Sequence, residues 1–188
     1  MSASDAPATE DVVFGNTVDA LFLKALGTKL SMRCVERVKE AGIDLRSKLK
    51  LFYPRETYYR CVRILGEELF GELDEDGRMT RLGNAFMDGF EQTLIGKAMI
   101  TAVRFMGPKR TLAKMTTNFR SSNNYMQTEL REERPGEVLI TLSQTSGAPG
   151  YFEAVLARAM GFAGAKNCSI RREAYDGARC TYRITWTP

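Results

Sequence analysis

The 188-residue chain reads as an α+β fold. N-terminal helices pack on a four-stranded antiparallel sheet whose strands arrive as hairpin–helix–hairpin. Three observations predict this. Up to about Met115, apolar residues recur at the i, i+3, i+4, i+7 spacing of one helix face. From Tyr125 on, the period changes to two, the spacing of half-buried strands. Turn signals at Pro135-Gly136 and Gly177 then divide four strands into two hairpins, with one helical pattern between them.

Residues 1–13 are small and polar and read as a disordered tail, although Val12, Val13 and Phe14 are apolar enough to dock. Residues 14–188 are expected to form one domain, the natural count for this length. Val18, Leu21, Phe22 and Ala25 share a stripe, so a helix is expected over 17–26, ended by Gly27. Ser31 is placed to cap a second helix through Ala41, with Met32, Val35 and Val38 on its buried face. Pro54 suits the start of a third helix, 55–69, with Tyr58, Cys61, Val62, Leu65 and Leu69 inward.

Six acids follow within 67–76, and Asp76-Gly77 reads as a turn. A fourth helix, 79–90, buries Leu82, Phe86 and Phe90. Each of its glycines, Gly83 and Gly89, costs about 1 kcal/mol relative to alanine, so close backbone approach is expected there. A fifth helix, 92–106, is expected to bury Leu94, Ala98, Thr101, Ala102 and Phe105. Gly107-Pro108 breaks it, and a short basic helix runs to Met115.

Strands are expected over 125–133 and 137–143, the second with Val138, Ile140 and Leu142 on one face. A helix over 151–164 presents Phe152, Val155, Leu156, Ala159 and Met160. The last strand alternates Cys180, Tyr182, Ile184 and Trp186 with polar residues. A three-residue turn at Tyr175-Asp176-Gly177 sets Cys180 opposite Arg172 and Cys168 opposite Ile184. That register keeps the two cysteines too far apart for a disulfide.

Composition excludes several chemistries. There is no histidine, which removes Ser-His-Asp and Cys-His catalysis and every histidine-ligated metal or haem. No nucleophile–base pair can be named, so the chain is not expected to be an enzyme. No cofactor and no metal are expected, since the four cysteines form no CxxC pair and read as reduced, mostly buried thiols. A net charge of +4 without an aromatic-interleaved basic stripe argues against nucleic acid. No apolar run is long enough to span a membrane and no signal-peptide pattern appears, so a cytoplasmic location is expected.

Several sequence words mark a resemblance: FLKALG (22–27), RLGNAFMDGFEQTLIGKA (81–98), MGPKR (106–110), NFRSSNNY (118–125), PGYFEAVL (149–156) and CTYRITW (180–186). They resemble a paralogous family of uncharacterised proteins known mainly from myxobacteria. More distantly, the order of elements is similar to the haem-NO-binding, vinyl-reductase-like and TRAPP-type group of folds. That resemblance implies a scaffold used for small-molecule sensing or for dimeric protein contacts. The missing histidine means that haem is not carried over with it.

Two stretches are candidate binding sites. Lys109 and Arg110, with Lys114 and Arg120, can cradle an anion beside a helix start, or can form a solvated or partner-facing surface. Arg120, Asn123, Asn124 and Tyr125 can supply the few polar groups of an apolar pocket between helices and sheet, or can serve local turn chemistry. The expected function is a non-catalytic regulatory or ligand-sensing domain acting through protein contacts in signalling. It would be a homodimer or bound to a partner protein, with an apolar or anionic small molecule as its ligand. The alternative is a ligand-free interaction or scaffold subunit.

Overall fold

The computed structural model describes residues 10–187. Strand β1 (Val12–Phe14) pairs antiparallel with β2 (Phe52–Pro54), Val13 opposite Tyr53. Val12 and Val13, read as tail, are therefore in a strand, and Val13 is buried. Residues 1–9 of the expected tail lie outside the described residues. Helix α1 (Gly15–Val18) opens into a π-helical turn, Asp19–Ala25. The wider turn buries Ala20, Leu21 and Phe22 in succession, which the expected stripe did not allow.

Ser31 caps α2 (Met32–Glu40), its hydroxyl accepting from the Cys34 N–H at 3.1 Å. Cys34 and Val38 form the buried face, whereas Met32, expected inside, is exposed. Helix α3 (Arg55–Leu69) follows Pro54 as expected and buries Tyr58, Tyr59, Cys61, Val62 and Leu65. Helix α4 (Glu75–Phe90) starts four residues earlier than its apolar pattern. Asp74 is its N-cap, accepting from Gly77 N–H at 2.8 Å, and Glu75 and Asp76 sit at the positive end of the helix dipole. Asp76-Gly77, expected to be a turn, is thus the first turn of a helix.

The two α4 glycines do permit close approach. A Cβ at Gly83 would lie 2.3 Å from the Tyr151 carbonyl oxygen, and one at Gly89 would lie 1.8 Å from that of Ala20. Helix α5 (Leu94–Ala113) is broken at Gly107, whose φ of 74° and ψ of 173° leave the helical region. The expected break is present, but the buried face is the opposite one. Gly96, Ile100 and Val103 point inward, while Leu94 and Phe105 are exposed. The cause is Gly96, where a Cβ would fall 1.8 Å from the Phe90 carbonyl oxygen, so this side of the helix must face α4. Helix α6 (Met115–Phe119) closes the helical half.

The sheet comprises β3 (Thr128–Arg134), β4 (Glu137–Leu142), β5 (Lys166–Tyr175) and β6 (Cys180–Thr187), antiparallel in the order β3-β4-β6-β5. Its inner face presents Val138, Ile140, Leu142, Cys180, Tyr182 and Ile184, all buried. Helix α7 (Pro149–Phe162) covers this face, between sheet and α4. The final hairpin register differs from expectation: Tyr175 faces Cys180 and Arg172 faces Tyr182. A bulge between Arg172 and Ala174 adds the residue that simple alternation misses. All four cysteines are unpaired, and Cys34, Cys61 and Cys180 are buried.

The outer sheet face is polar. Glu137 accepts from Arg134 and Arg183, which hold its carboxyl below the usual range, and Arg183 does the same to Glu173. A carboxyl depressed in the folded state adds stability above its unfolded value of about 4.3, lost as pH falls through the folded value. The urea midpoint should therefore drop on acidification below about pH 4. Glu137→Gln should lower the neutral midpoint and make that acid loss shallower. An unchanged acid limb in the variant would remove Glu137 from the account.

Candidate functional site

Two adjoining chambers, each partly open to solvent, lie where α4, α5, α6 and α7 meet the first turn of α3. The first has a volume of about 70 Å³ and is almost wholly apolar. Phe86, Met87 and Phe90 enter from α4, Met99, Ile100 and Val103 from α5, and Val155, Ala159 and Phe162 from α7. The second, of about 30 Å³, is lined by Tyr58, Tyr59, Tyr125 and Tyr151 beside Val13 and Thr17. Phe86, Phe119, Ser122 and Val155 border both. The partition is aromatic: Phe119 meets Phe152 edge-on at 5.9 Å, and Phe86 lies 5.9 Å from Tyr151.

A hydrogen-bonded seam that includes Thr17, Ser122 and Asn123 borders the chambers. Asn16 Nδ2 donates to the Ser121 carbonyl at 2.9 Å, and Thr17 Oγ1 to that of Ser122 at 3.1 Å. Phe14 N–H also reaches Ser122 O at 2.9 Å, and Val12 N–H donates to Asn124 Oδ1 at 2.8 Å. Asn124 Nδ2 returns to the Glu10 carbonyl, and Asn123 Oδ1 accepts from Met126 N–H at 2.9 Å. The Asn/Ser run thus joins the chain's two halves, and the side-chain oxygens of Asn123 and Asn124 are already engaged by backbone N–H groups.

Tyr125 is different. Its ring lies under the Arg55 guanidinium, 5.4 Å from centroid to carbon, and Arg55 is held by Asp11 at 2.7 Å. Its hydroxyl is shielded from solvent and makes no hydrogen bond of normal length, although the Tyr59 and Ser146 side chains lie close enough to act on its ionisation. Tyr58 and Tyr151 hydroxyls pair at 3.2 Å. Burial pushes the Tyr125 phenol up to about 12 and raises those of Tyr58, Tyr59 and Tyr151 as well. All four remain neutral donors at ordinary pH. A buried hydroxyl without a partner costs about 1–3 kcal/mol, so a ligand acceptor there would recover what folding leaves unsatisfied.

The candidate residues therefore separate. Asn123 and Tyr125 line the second chamber. Lys109, Arg110, Arg120 and Asn124 line neither chamber. Lys109 is ion-paired with Glu132 at 2.8 Å, and Arg110 and Arg120 are exposed. Sequence reasoning missed Tyr58, Tyr59 and Tyr151 as site residues because each sits on an apolar helix face, where packing is the ordinary explanation. Five of the six acids of 67–76 are accounted for internally: Glu67 and Glu68 hold Arg37, Asp74 caps α4, Glu75 holds Arg63 and Asp76 holds Arg172.

This architecture is that of the H-NOX fold. A variant H-NOX protein from K. algicida superposes with a TM-score of 0.69 at 11% identity, over 93% of this chain and 97% of that one. An oxygen-binding H-NOX domain related to soluble guanylate cyclases, in its oxygen complex, gives 0.69 at 12% identity, over 93% and 95%. At residues 11–187 the chain matches the model of a family of proteins of unknown function, DUF2378, and it belongs to that family. No curated protein sequence matches it. The expected resemblance to an uncharacterised family, and at a distance to the haem-NO-binding fold, is thereby met.

Proposed function

We propose that the chain is a non-catalytic sensing domain that takes a small, mostly apolar molecule in the paired chambers. Its output passes through protein contacts, in a homodimer or to a partner. The observation that carries this reading is the Tyr125 hydroxyl, shielded from solvent and without a hydrogen bond of normal length, in a small chamber that adjoins an almost wholly apolar one. The molecule it fits has a hydrocarbon body and one hydrogen-bond acceptor. Its size is small: 70 Å³ is about half the 150 Å³ of a cavity that holds benzene.

The fold neighbours are described as Fe(II) and oxygen-bound forms, and another as a study of heme redox potential. The residues here do not fit an iron porphyrin. The chain has no histidine. The four phenols are kept protonated by burial, which makes them poor iron ligands. Cys34, Cys61, Cys168 and Cys180 line neither chamber. The chambers, at about 70 and 30 Å³, are also far too small for a macrocycle.

Acetone is a suitable probe, with two methyl groups, one carbonyl and four heavy atoms against the six of benzene. Native mass spectrometry of the purified protein should show a bound small molecule, or added acetone should raise the melting temperature saturably. Val155→Phe, which fills the boundary of both chambers, should abolish the effect. Tyr125→Phe should hold or raise the ligand-free stability, by up to about 1–3 kcal/mol, since it removes an unpaired group, yet weaken binding about tenfold. If no molecule co-purifies and no saturable shift appears, the sensing reading fails and a ligand-free interaction subunit remains. Sedimentation velocity checks self-association in either case.

A further inference from the structure

The outward face of α5 has no role in the chambers, yet it is the most unusual surface of the chain. Leu94 is 87% exposed, Phe105 86% and Ile95 45%. Ala98, Thr101 and Ala102 lie exposed between them, so large apolar side chains stand at either end of a low ridge. Lys97 and Arg104 are exposed along its edge, three and ten residues after Leu94. Arg110 is exposed beyond the Gly107 break. From Gln92 to Thr128 the sequence contains no acid.

Nearby carboxylates are occupied: Glu132 by Lys109, and Asp88 and Glu91 by Arg158. Among the described residues, Lys97, Arg104 and Arg110 form no ion pair. We infer that this face of α5 seats the domain on an anionic membrane surface.

Two features select that occupant. The apolar side chains protrude, so a protein partner would need matching pockets, whereas the acyl boundary of a bilayer accepts them without any. The flanking charge is of one sign. A second copy docked on the same face would bring Lys97 and Arg104 against their equivalents, while an anionic leaflet complements them. Each Lys or Arg near such a surface strengthens binding about fivefold. No helix among the described residues is long and apolar enough to cross a membrane, so the contact would be peripheral.

The test is co-sedimentation of the full chain with phosphatidylcholine–phosphatidylglycerol vesicles, against vesicles of phosphatidylcholine alone. The protein should pellet with the mixed vesicles only, less so at high salt. Leu94→Ser with Phe105→Ser should lower binding about tenfold or more, since both lose their burial in the acyl boundary. Lys97→Glu with Arg104→Glu should do the same through charge. Both pairs are exposed, so the urea midpoint should stay at the wild-type value. Equal pelleting with neutral vesicles, or no loss in either double variant, overturns the inference. So does a wild-type dimer that the Leu94/Phe105 variant splits without any lipid binding, or capture of an acidic protein in place of lipid.

Discussion

Gly89→Ala should destabilise the protein by at least about 3 kcal/mol, at the upper end of what overpacking costs. The new methyl would arrive 1.8 Å from the Ala20 carbonyl oxygen and 2.7 Å from its carbon. Those are backbone atoms of the π-helical turn and cannot rotate aside. Alanine is otherwise the better helix former by about 1 kcal/mol, so any loss reports the contact and not the helix. Gly161→Ala is the matched control. It lies in α7 with nothing within 4 Å, and should gain about 0.5–1 kcal/mol. Urea midpoints of the two variants decide the matter. A Gly89→Ala midpoint near wild type would mean that α4 does not sit against Ala20 in solution.

Tyr182→Ala should cost about 3–5 kcal/mol, the range for losing a buried aromatic ring. Tyr182 is fully buried at the middle of β6, opposite Ile140 on one side and Arg172 on the other. Its hydroxyl donates to the Pro149 carbonyl at 2.7 Å, tying the sheet to the first residue of α7. Tyr182→Phe keeps the ring and loses only that bond, and should cost about 1–2 kcal/mol. Chemical denaturation of the pair separates packing from hydrogen bonding. Equal losses in the two variants would make the bond, and not the ring, the dominant contribution.

Most of the architecture was legible because it rests on periodicity. The change from a spacing of 3.6 to one of two near Tyr125 marks where helices give way to the sheet. The errors each have a local cause. Asp74, Glu75 and Asp76 read as a turn because acids and a glycine adjoin there, yet capping and the helix dipole favour the same residues at a helix start. The last hairpin's register moved by a bulge, which a period of two cannot reveal. Helix α5 was turned over because hydrophobicity alone was weighed. Gly96, with no side chain, sets its orientation by letting two backbones touch.

At the candidate site, Tyr125 was legible from its polar, aromatic surroundings at a helix-to-strand passage. Its tyrosine companions were not. Tyr58, Tyr59 and Tyr151 converge from α3 and α7, more than 90 residues apart in the case of Tyr58 and Tyr151. Nothing in the linear order announces that meeting. The basic residues were legible as an acid-free run, but the way they divide is visible only in three dimensions. Lys109 is neutralised by β3, and Lys97 and Arg104 edge an apolar ridge.

The seam that joins Phe14–Thr17 to Ser121–Asn124 has a kinetic consequence. Its hydrogen bonds link residues separated by 105 to 114 positions. Such contacts carry a large loop-closure entropy and form slowly. During synthesis β1 can pair with β2 early, but its bonds to Ser122 and Asn124 must wait until more than half the chain has emerged. The helical half would collapse earlier on local contacts, with the tyrosine chamber still uncovered. In the finished protein the same seam is short and partly exposed, so it should open at a lower free-energy cost than the central strands. Amide exchange at Val12, Phe14 and Asn124 should therefore outpace that of β4 and β6, and the rate at which it opens would set how quickly a molecule enters or leaves.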